Sequence, residues 1–225
     1  MEIEFTYILL IISIIVSLLA SLFVKIVFKK YDKIGVSSCL LAQDAAEQIL
    51  NENGIYDVTI RRAAGDLTDN YSPADNTLNL SESTYGNSSI SAVAVAAHEC
   101  GHAIQKNEGY KPLELRTLSV PMASLGSKAY YPIILLGIIL GTEPLINIGI
   151  LLFSFIVIFQ LITLPVEFDA SHRALKILSN SNILDNTEMK GARLVLTAAA
   201  LTYVAAAATS VLQLIRLLAL SNRRN

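Results

Sequence analysis

Histidine and cysteine are both scarce in this sequence, and their scarcity narrows the chemistry that is possible. Only three histidines occur among 225 residues, whereas histidine-rich di-iron membrane enzymes need many more, so that class is excluded. The two cysteines, Cys39 and Cys100, lie far apart in the chain. We therefore predict that they form no disulfide with each other.

Charged residues are also few, and Lys and Arg are scattered along the sequence without forming a basic stripe. Lys, Arg, Asp and Glu make up 16% of the chain and give a net charge of −2. Without a basic stripe, nucleic acid is not expected as a partner. The apolar runs hold few ionisable residues beyond Arg216, which argues against a small-molecule transporter. At 53% hydrophobic residues the chain is too apolar for an ordinary soluble domain, and its polar stretches exclude a pure membrane bundle.

The first apolar run, residues 3–28, is long enough to cross a hydrocarbon core of about 30 Å. It is not a secretory signal peptide, because acidic residues precede it and no cleavage site is evident. The lysines follow the run, at Lys25, Lys29, Lys30 and Lys33. The positive-inside rule therefore predicts an external N-terminus, with residue 29 onward in the cytoplasm.

Three further apolar runs follow. Residues 122–140 and 145–164 are joined by a short connection, 141–144, without Lys or Arg, as expected of an external hairpin loop. The last run, residues 194–220, contains Arg216 and precedes Arg223 and Arg224. If it crosses the membrane, those last two arginines lie outside, against the charge rule. We expect this segment either to pack against the functional site, partly inserted, or to cross at a topological penalty.

The stretch between the first two apolar runs has the patterns of a soluble region. Residues 38–53 predict an amphipathic helix that ends at Gly54. Residues 57–61 and 76–81 alternate like half-buried strands, and the turn signal 72–75 lies between them. A strand at the edge of such a sheet can align an extended peptide through main-chain hydrogen bonds. A plain structural hairpin explains the same pattern.

The most informative stretch reads His98-Glu99-Cys100-Gly101-His102. We predict a helix from about Ser89 to Asn107, stopped near Gly109. On such a helix the two imidazoles project from one face about one turn apart and can bind one tetrahedral metal ion. Glu99 lies beside them, where it can act as a general base toward water. The alternative interpretation is a pair of hydrogen-bonded core histidines.

A catalytic zinc site needs a third protein ligand and an open position. Pro165 is typical of the first turn of a new helix, and the side chains that follow it emerge at the cytoplasmic face. We predict Glu167 as the third ligand, with Asp169 and His172 as alternatives. His172 or Arg173 could instead approach the ligands or stabilise a developing oxyanion. These residues could equally form a solvated helix start, with Asp169 and Arg173 paired.

Two other subtypes of zinc protease disagree with the sequence. One subtype continues the motif with a Gly three residues after the second His and a third His three residues later. Gln105 and Glu108 occupy those positions here, so the chain does not belong to that subtype. Intramembrane zinc proteases place the paired histidines inside a continuous apolar span. Here only about eight apolar residues precede His98, and polar residues follow the motif.

The chain resembles the YugP-like putative neutral zinc metallopeptidases of bacterial membranes. The resemblance covers nearly the whole chain and rests on the stretches 71–73, 77–81, 96–105, 164–170 and 199–207. More distantly, the layout is similar to the HtpX-type and CAAX prenyl proteases, which are membrane gluzincins. The resemblance implies one zinc ion, His98, His102 and Glu167 as its ligands, Glu99 as the base, and a quality-control role on membrane or misfolded proteins.

One position departs from the distant relatives. Gluzincins usually have Asp four residues after the ligand Glu, where it orients a ligand histidine, but here that position is Ser171. Asp169 lies on another face of the helix. The residues that orient the histidines therefore cannot be assigned by comparison with those families. Cobalt or manganese could occupy the same ligands.

These observations predict a mainly α membrane protein with about four hydrophobic helices and a small α+β zincin-like catalytic region. The predicted function is that of a multi-pass, membrane-anchored zinc endopeptidase with its site on the cytoplasmic face, acting on polypeptides and contacting the lipid bilayer. The alternative is a zinc-binding scaffold or pseudo-protease, which a fourth ligand such as His172 would favour. The predicted segments are an anchor, 1–30; the zincin-like region, 31–120; a transmembrane hairpin, 121–165; the third-ligand helix and loop, 166–192; and a C-terminal hydrophobic helix and tail, 193–225.

Overall fold

The computed structural model describes residues 2–222, with the side chains of residues 6–221. Arg223 and Arg224, which bear on the predicted topology, lie outside the described residues, as do the side chains of Glu2 and Glu4. The elements in chain order are α1 (Glu2–Tyr31), α2 (Ala42–Glu52), β1 (Thr59–Arg62), β2 (Asn70–Ser72), β3 (Thr77–Leu80), α3 (Ile90–Asn107), α4 (Lys111–Leu140), α5 (Glu143–Asn180) and α6 (Asn186–Asn222).

Four of these helices, α1, α4, α5 and α6, are long and apolar enough to cross a membrane. In α1 and in α4, only 11% of the most apolar stretch of 18 residues is buried. Many Ile and Leu side chains of these two helices are therefore exposed. Exposed apolar surface of this extent is stable against lipid rather than water. Together with the small sheet, these helices confirm the predicted class, a mainly α membrane protein with a small α+β region.

The chain forms two compact units, and the first comprises Met1–Ser21, Glu114–Pro165 and Thr202–Asn225. In this unit α4 and the first part of α5 are joined through Gly141, which has a positive φ of 66°. The two helices approach closely at small residues. A Cβ at Gly126 would lie 2.5 Å from the carbonyl oxygen of Leu152, so the side of α4 that faces α5 has no room for a side chain there.

Pro165 does not begin a new helix, and that prediction is wrong. Helix α5 runs without a break from Glu143 to Asn180, with Pro165 inside it. A proline inside a helix removes one backbone hydrogen bond, but breaking the helix in apolar surroundings would leave several backbone groups unsatisfied. One turn earlier, the hydroxyl of Thr163 donates to the carbonyl of Phe159 at 2.8 Å. The residues that precede and follow Pro165 are therefore held on one continuous helix.

The second unit comprises Leu22–Leu113 and Val166–Leu201. Its sheet has the order β1-β3-β2, with β3 parallel to β1 and antiparallel to β2. Apolar side chains from the sheet and from five helices share one core, whose largest fully buried aliphatic members are Ile49, Leu78, Leu80, Val93, Leu178 and Leu196. The predicted strands 57–61 and 76–81 are confirmed, since β1 and β3 begin and end within two residues of those bounds. The predicted helix 38–53 corresponds to α2, which begins only at Ala42.

Helix α3 has the predicted bounds. Ser89 caps its N-terminus, where the hydroxyl accepts from the backbone N–H of Ala92 at 3.2 Å. Beyond Asn107 the chain turns at Gly109, whose φ is +64°, and the N–H of Tyr110 donates back to the carbonyl of Gln105. These caps fix the register of the helix, and so the direction in which His98 and His102 project.

Gly101 sets how closely α3 approaches α5. A Cβ at this position would lie 2.7 Å from the carbonyl oxygen of Ala170 and 3.1 Å from its Cα. Backbone atoms cannot move aside as a flexible side chain can. Any other residue at 101 would therefore push the two helices apart.

We predict that Gly101→Ala lowers the free energy of unfolding by about 1–3 kcal/mol, because the added methyl group overpacks this crossing. Thermal unfolding of the purified protein in detergent measures the change. Gly35→Ala is the matched control, since a Cβ there meets only the carbonyl oxygen of Ser88, at 4.0 Å. Equal unfolding temperatures for the two variants would contradict the role given to Gly101.

Candidate metal centre

Two helices bring three potential metal ligands together. His98 and His102 project from α3, and Glu167 projects from α5 two residues after Pro165. The Nε2 atoms of His98 and His102 lie 3.2 and 3.6 Å from Oε2 of Glu167. All three side chains are buried, with Glu167 only 2% exposed. This trio is a cluster of ligand-type atoms that lie within 4.8 Å of one another.

These separations suit a zinc ion. Ligand atoms placed 2.0–2.2 Å from a tetrahedral zinc are roughly 3.3–3.6 Å apart, close to the two distances between the imidazoles and the carboxylate. Two neutral imidazoles and one carboxylate also form a common donor set of catalytic zinc sites. Among residues 2–222 no fourth His, Cys, Asp or Glu joins the cluster. The donor set is therefore that of a site with one open position.

Glu99 lies beside the ligands and is 7% exposed. It forms no hydrogen bond or ion pair with the described part of the chain, although a buried carboxylate without a partner is costly. Burial raises the pKa of Glu99 by more than the neighbouring His98 and His102 lower it. A carboxylate with a raised pKa and a free lone pair is suited to accept a proton near neutral pH.

Gln105 fixes the tautomer of His102. Its amide nitrogen donates to the carbonyl of Val166 and to Oδ2 of Asp169, both at 2.8 Å. Because a carbonyl oxygen can only accept, the amide oxygen must be the atom that faces Nδ1 of His102, at 3.0 Å. Nδ1 therefore carries a hydrogen, so in the neutral imidazole the lone pair of Nε2 faces Glu167. Either a zinc ion or a second proton on the imidazole can lie between these two atoms.

His98 has a different partner. The hydroxyl of Ser171 lies 3.1 Å from Nδ1 of His98, so the residue that replaces the usual Asp still contacts a ligand histidine. A hydroxyl can donate or accept, so this contact orients the ring without fixing its tautomer. Ser171 lies four residues after Glu167 and so on the same face of α5. One helix thus supplies a potential ligand, Glu167, and a group that orients another potential ligand, His98.

The remaining predicted site residues lie around the trio or away from it. Asp169 accepts from Gln105 and from Nε of Arg173, at 2.8 and 2.5 Å. Arg173 also donates to Glu108 at 2.6 Å, so its guanidinium is engaged by two carboxylates. His172 is exposed and lines a cleft on another face of α5. The structure does not bring His172 or Asp169 into the ligand cluster.

Sequence reasoning missed the roles of Gln105 and Ser171. Gln105 was noted only because it fails the extended zinc motif, and Ser171 only because it departs from distant relatives. The signal was in the spacing, since Gln105 follows His102 by three residues and Ser171 follows Glu167 by four. Both spacings place side chains on one helix face.

Comparisons with known proteins show the family of this chain. The family model described as "Putative neutral zinc metallopeptidase" matches residues 6–222. A protein of Bacillus subtilis (strain 168), described as "Putative membrane protease YugP", is 47% identical over 193 residues, which cover 86% of this chain and 86% of that protein. No solved structure matches.

We predict that Gln105→Ala weakens zinc binding by about 10–100-fold, the usual effect of losing a group that orients a ligand histidine. The variant frees His102 to adopt the other tautomer and removes the contacts to Val166 and Asp169. Competition with a chromogenic chelator measures the affinity directly. Gln48→Ala is the control, because Gln48 is a half-buried residue of α2, outside the site, whose amide donates to Glu52. Wild-type affinity in both variants would contradict this role.

Proposed function

The chain belongs to the putative neutral zinc metallopeptidase family, and from that membership we propose that it is a membrane-anchored endopeptidase with one zinc ion at His98, His102 and Glu167. One observation carries the proposal. A buried carboxylate without a partner, Glu99, adjoins a trio of ligand-type atoms within 4.8 Å of one another, and two of their separations are close to those in a tetrahedral zinc site. Hydrolysis needs both features together.

The residues of the chain would divide the work of hydrolysis between them. When bound, zinc supplies a Lewis acid that polarises the peptide carbonyl and makes water easier to deprotonate. Glu99 accepts the proton of the attacking water and then delivers it to the leaving amine. Gln105 and Ser171 hold the two imidazoles in position, so that little reorganisation is needed during the reaction.

A polypeptide is the substrate that the surroundings of the site favour. Strand β2 lies at one edge of the sheet, because β3 pairs with it on its other side only. Lys106 of α3 donates to the carbonyl of Pro73, immediately after β2, at 2.8 Å. An extended peptide that pairs with this edge would run beside α3, and main-chain pairing accepts many sequences. Such tolerance suits the cleavage of misfolded or membrane proteins.

The geometry favours a peptidase over a structural zinc site. A structural site needs a fourth protein ligand, and His172, the alternative for that position, lines a cleft on another face of α5. Among residues 2–222 no other His, Cys, Asp or Glu comes within ligand distance of the trio. A pseudo-protease would also have little use for a buried, unpartnered Glu99.

We predict that Glu99→Gln keeps about one zinc ion per chain but loses cleavage by about 10²–10⁴-fold, because the amide cannot accept the proton. His98→Ala and Glu167→Ala should lose both zinc and activity. Cleavage of an unfolded model protein and metal analysis on the same samples test all three variants.

Glu47→Gln is the matched control for these variants, since Glu47 is an exposed carboxyl on α2. Full zinc content and full activity in Glu167→Ala would falsify the proposed ligand set. Zinc retained by every preparation, with no cleavage of any unfolded substrate even by the wild type, would favour the scaffold instead.

The site is proposed to lie on the cytoplasmic face, because lysines follow the first apolar helix and none lies in the connection between α4 and α5. Cys39 reports on this topology, as its side chain is exposed whereas Cys100 is buried. A membrane-impermeant maleimide should leave Cys39 unmodified in intact cells and label it after permeabilisation.

The control for topology is a chain with Cys39→Ser and Thr142→Cys, which moves the reactive thiol to the exposed α4–α5 connection. This thiol should be labelled in intact cells. Labelling of Cys39 from outside would reverse the proposed orientation.

A further inference from the structure

A basic cleft lies between the end of α5 and the start of α6, within the second unit. Its volume is about 820 Å³, within the range of small-molecule sites. Each helix contributes one row of side chains at helical spacing. The lining residues are His172, Leu175, Lys176, Ser179, Asn186, Met189, Lys190 and Arg193. The cleft thus holds three permanent positive charges and one histidine, and no carboxylate.

The cations of the cleft have no counter-charge within residues 2–222. Lys176, Lys190 and Arg193 form no ion pair or side-chain hydrogen bond there, whereas Arg173 on the same helix bonds to Asp169 and Glu108. The carboxylates nearest in sequence are engaged elsewhere. Asp185 accepts from the N–H groups of Thr187 and Glu188 at the start of α6.

Glu188, the remaining acid of this segment, is also engaged. It accepts from the N–H of Ser37 at 2.6 Å and from the N–H of Asp185 at 2.9 Å. Three like charges are therefore gathered around one cleft of a chain whose net charge is −2. These cations are exposed, so solvent screens their mutual repulsion, but their combined positive potential favours an anion in the cleft.

The cations of the cleft are open to solvent. Lys176, Lys190 and Arg193 are all exposed. A ligand dissolved in the aqueous phase can therefore reach them.

We propose that this cleft binds an anion that carries phosphate groups. Arg and Lys are the side chains that recognise phosphate most often, Arg through paired N–H donors and Lys as a point charge. Ser179 and Asn186 add neutral donors at the wall, and Leu175 and Met189 offer apolar contact to an organic part of the ligand. The site is separate from the zinc ligands and does not depend on the proposed peptidase activity.

Titration calorimetry with inorganic pyrophosphate, on the full chain in uncharged detergent, tests the proposal. The triple variant Lys176→Gln, Lys190→Gln, Arg193→Gln should weaken binding at least about tenfold, because each lost cation removes a charge-assisted hydrogen bond. The matched control, Lys33→Gln, Arg61→Gln, Arg62→Gln, removes the same charge from exposed positions outside the cleft and should bind as the wild type does. Unchanged zinc content and unfolding temperature show that the cleft variant is folded.

Two outcomes would overturn the proposal. Equal pyrophosphate binding by the wild type and the folded cleft variant would place the anion elsewhere, for example at the zinc ion. Tighter binding of a hexaglutamate peptide than of pyrophosphate would assign the cleft to carboxylates instead.

A second comparison identifies the source of the phosphate. The titration is repeated in vesicles of phosphatidylcholine, with and without phosphatidylglycerol. Equal affinity in both supports a soluble phosphate compound, which is the expected result. The other outcome is that the wild type binds pyrophosphate more weakly in the anionic vesicles, whereas the cleft variant shows no difference between the two vesicle types. That outcome supports the phosphate of a lipid headgroup as the ligand.

Discussion

The close approach of α3 to α5 at Gly101 is the constraint on which the candidate site depends. His98 and His102 stand on one helix and Glu167 on the other, so their separation is set by how near the two backbones come. The absence of a Cβ at Gly101 lets the backbone of Ala170 lie against α3. Gly101 lies between the two histidines in the sequence. This glycine therefore determines whether Glu167 comes close enough to His98 and His102 to form one site with them. The glycine belongs to the site although it carries no functional group.

Burying two imidazoles and two carboxylates together is unfavourable, and the neighbouring polar groups offset most of that cost. A continuous chain of hydrogen bonds runs from Glu108 through Arg173, Asp169 and Gln105 to Nδ1 of His102. Because every donor in it faces an acceptor, the chain leaves the lone pair of Nε2 directed at the ligand cluster. Glu99 stands outside this chain. The orienting groups are hydrogen-bonded to the protein, whereas Glu99 has no protein partner among the described residues. This contrast distinguishes the positioning residues from the proposed base.

Local sequence patterns were sufficient to predict the helices whose bounds depend on caps or on apolar length. The caps at Ser89 and Gly109 predicted the bounds of α3, and apolar length predicted the four long helices. The spacing of His98, Glu99 and His102 selected them as candidates, and the structure brings Glu167 to the two histidines. Pro165 misled, because its local preference for a helix start is weaker than the demand for continuous backbone hydrogen bonding in apolar surroundings. Gln105 and Ser171 could not be assigned, since their partners lie on another helix and only the fold shows which face meets which.

Within the second unit, helix α5 carries both candidate sites. Glu167 and Ser171 contact the histidines of α3, and Lys176 lies on the wall of the basic cleft. A helix advances about 1.5 Å per residue, so Lys176 lies about 14 Å along the axis from Glu167. A phosphate ligand bound at Lys176 would therefore contact the same helix as the proposed third zinc ligand without touching that carboxylate.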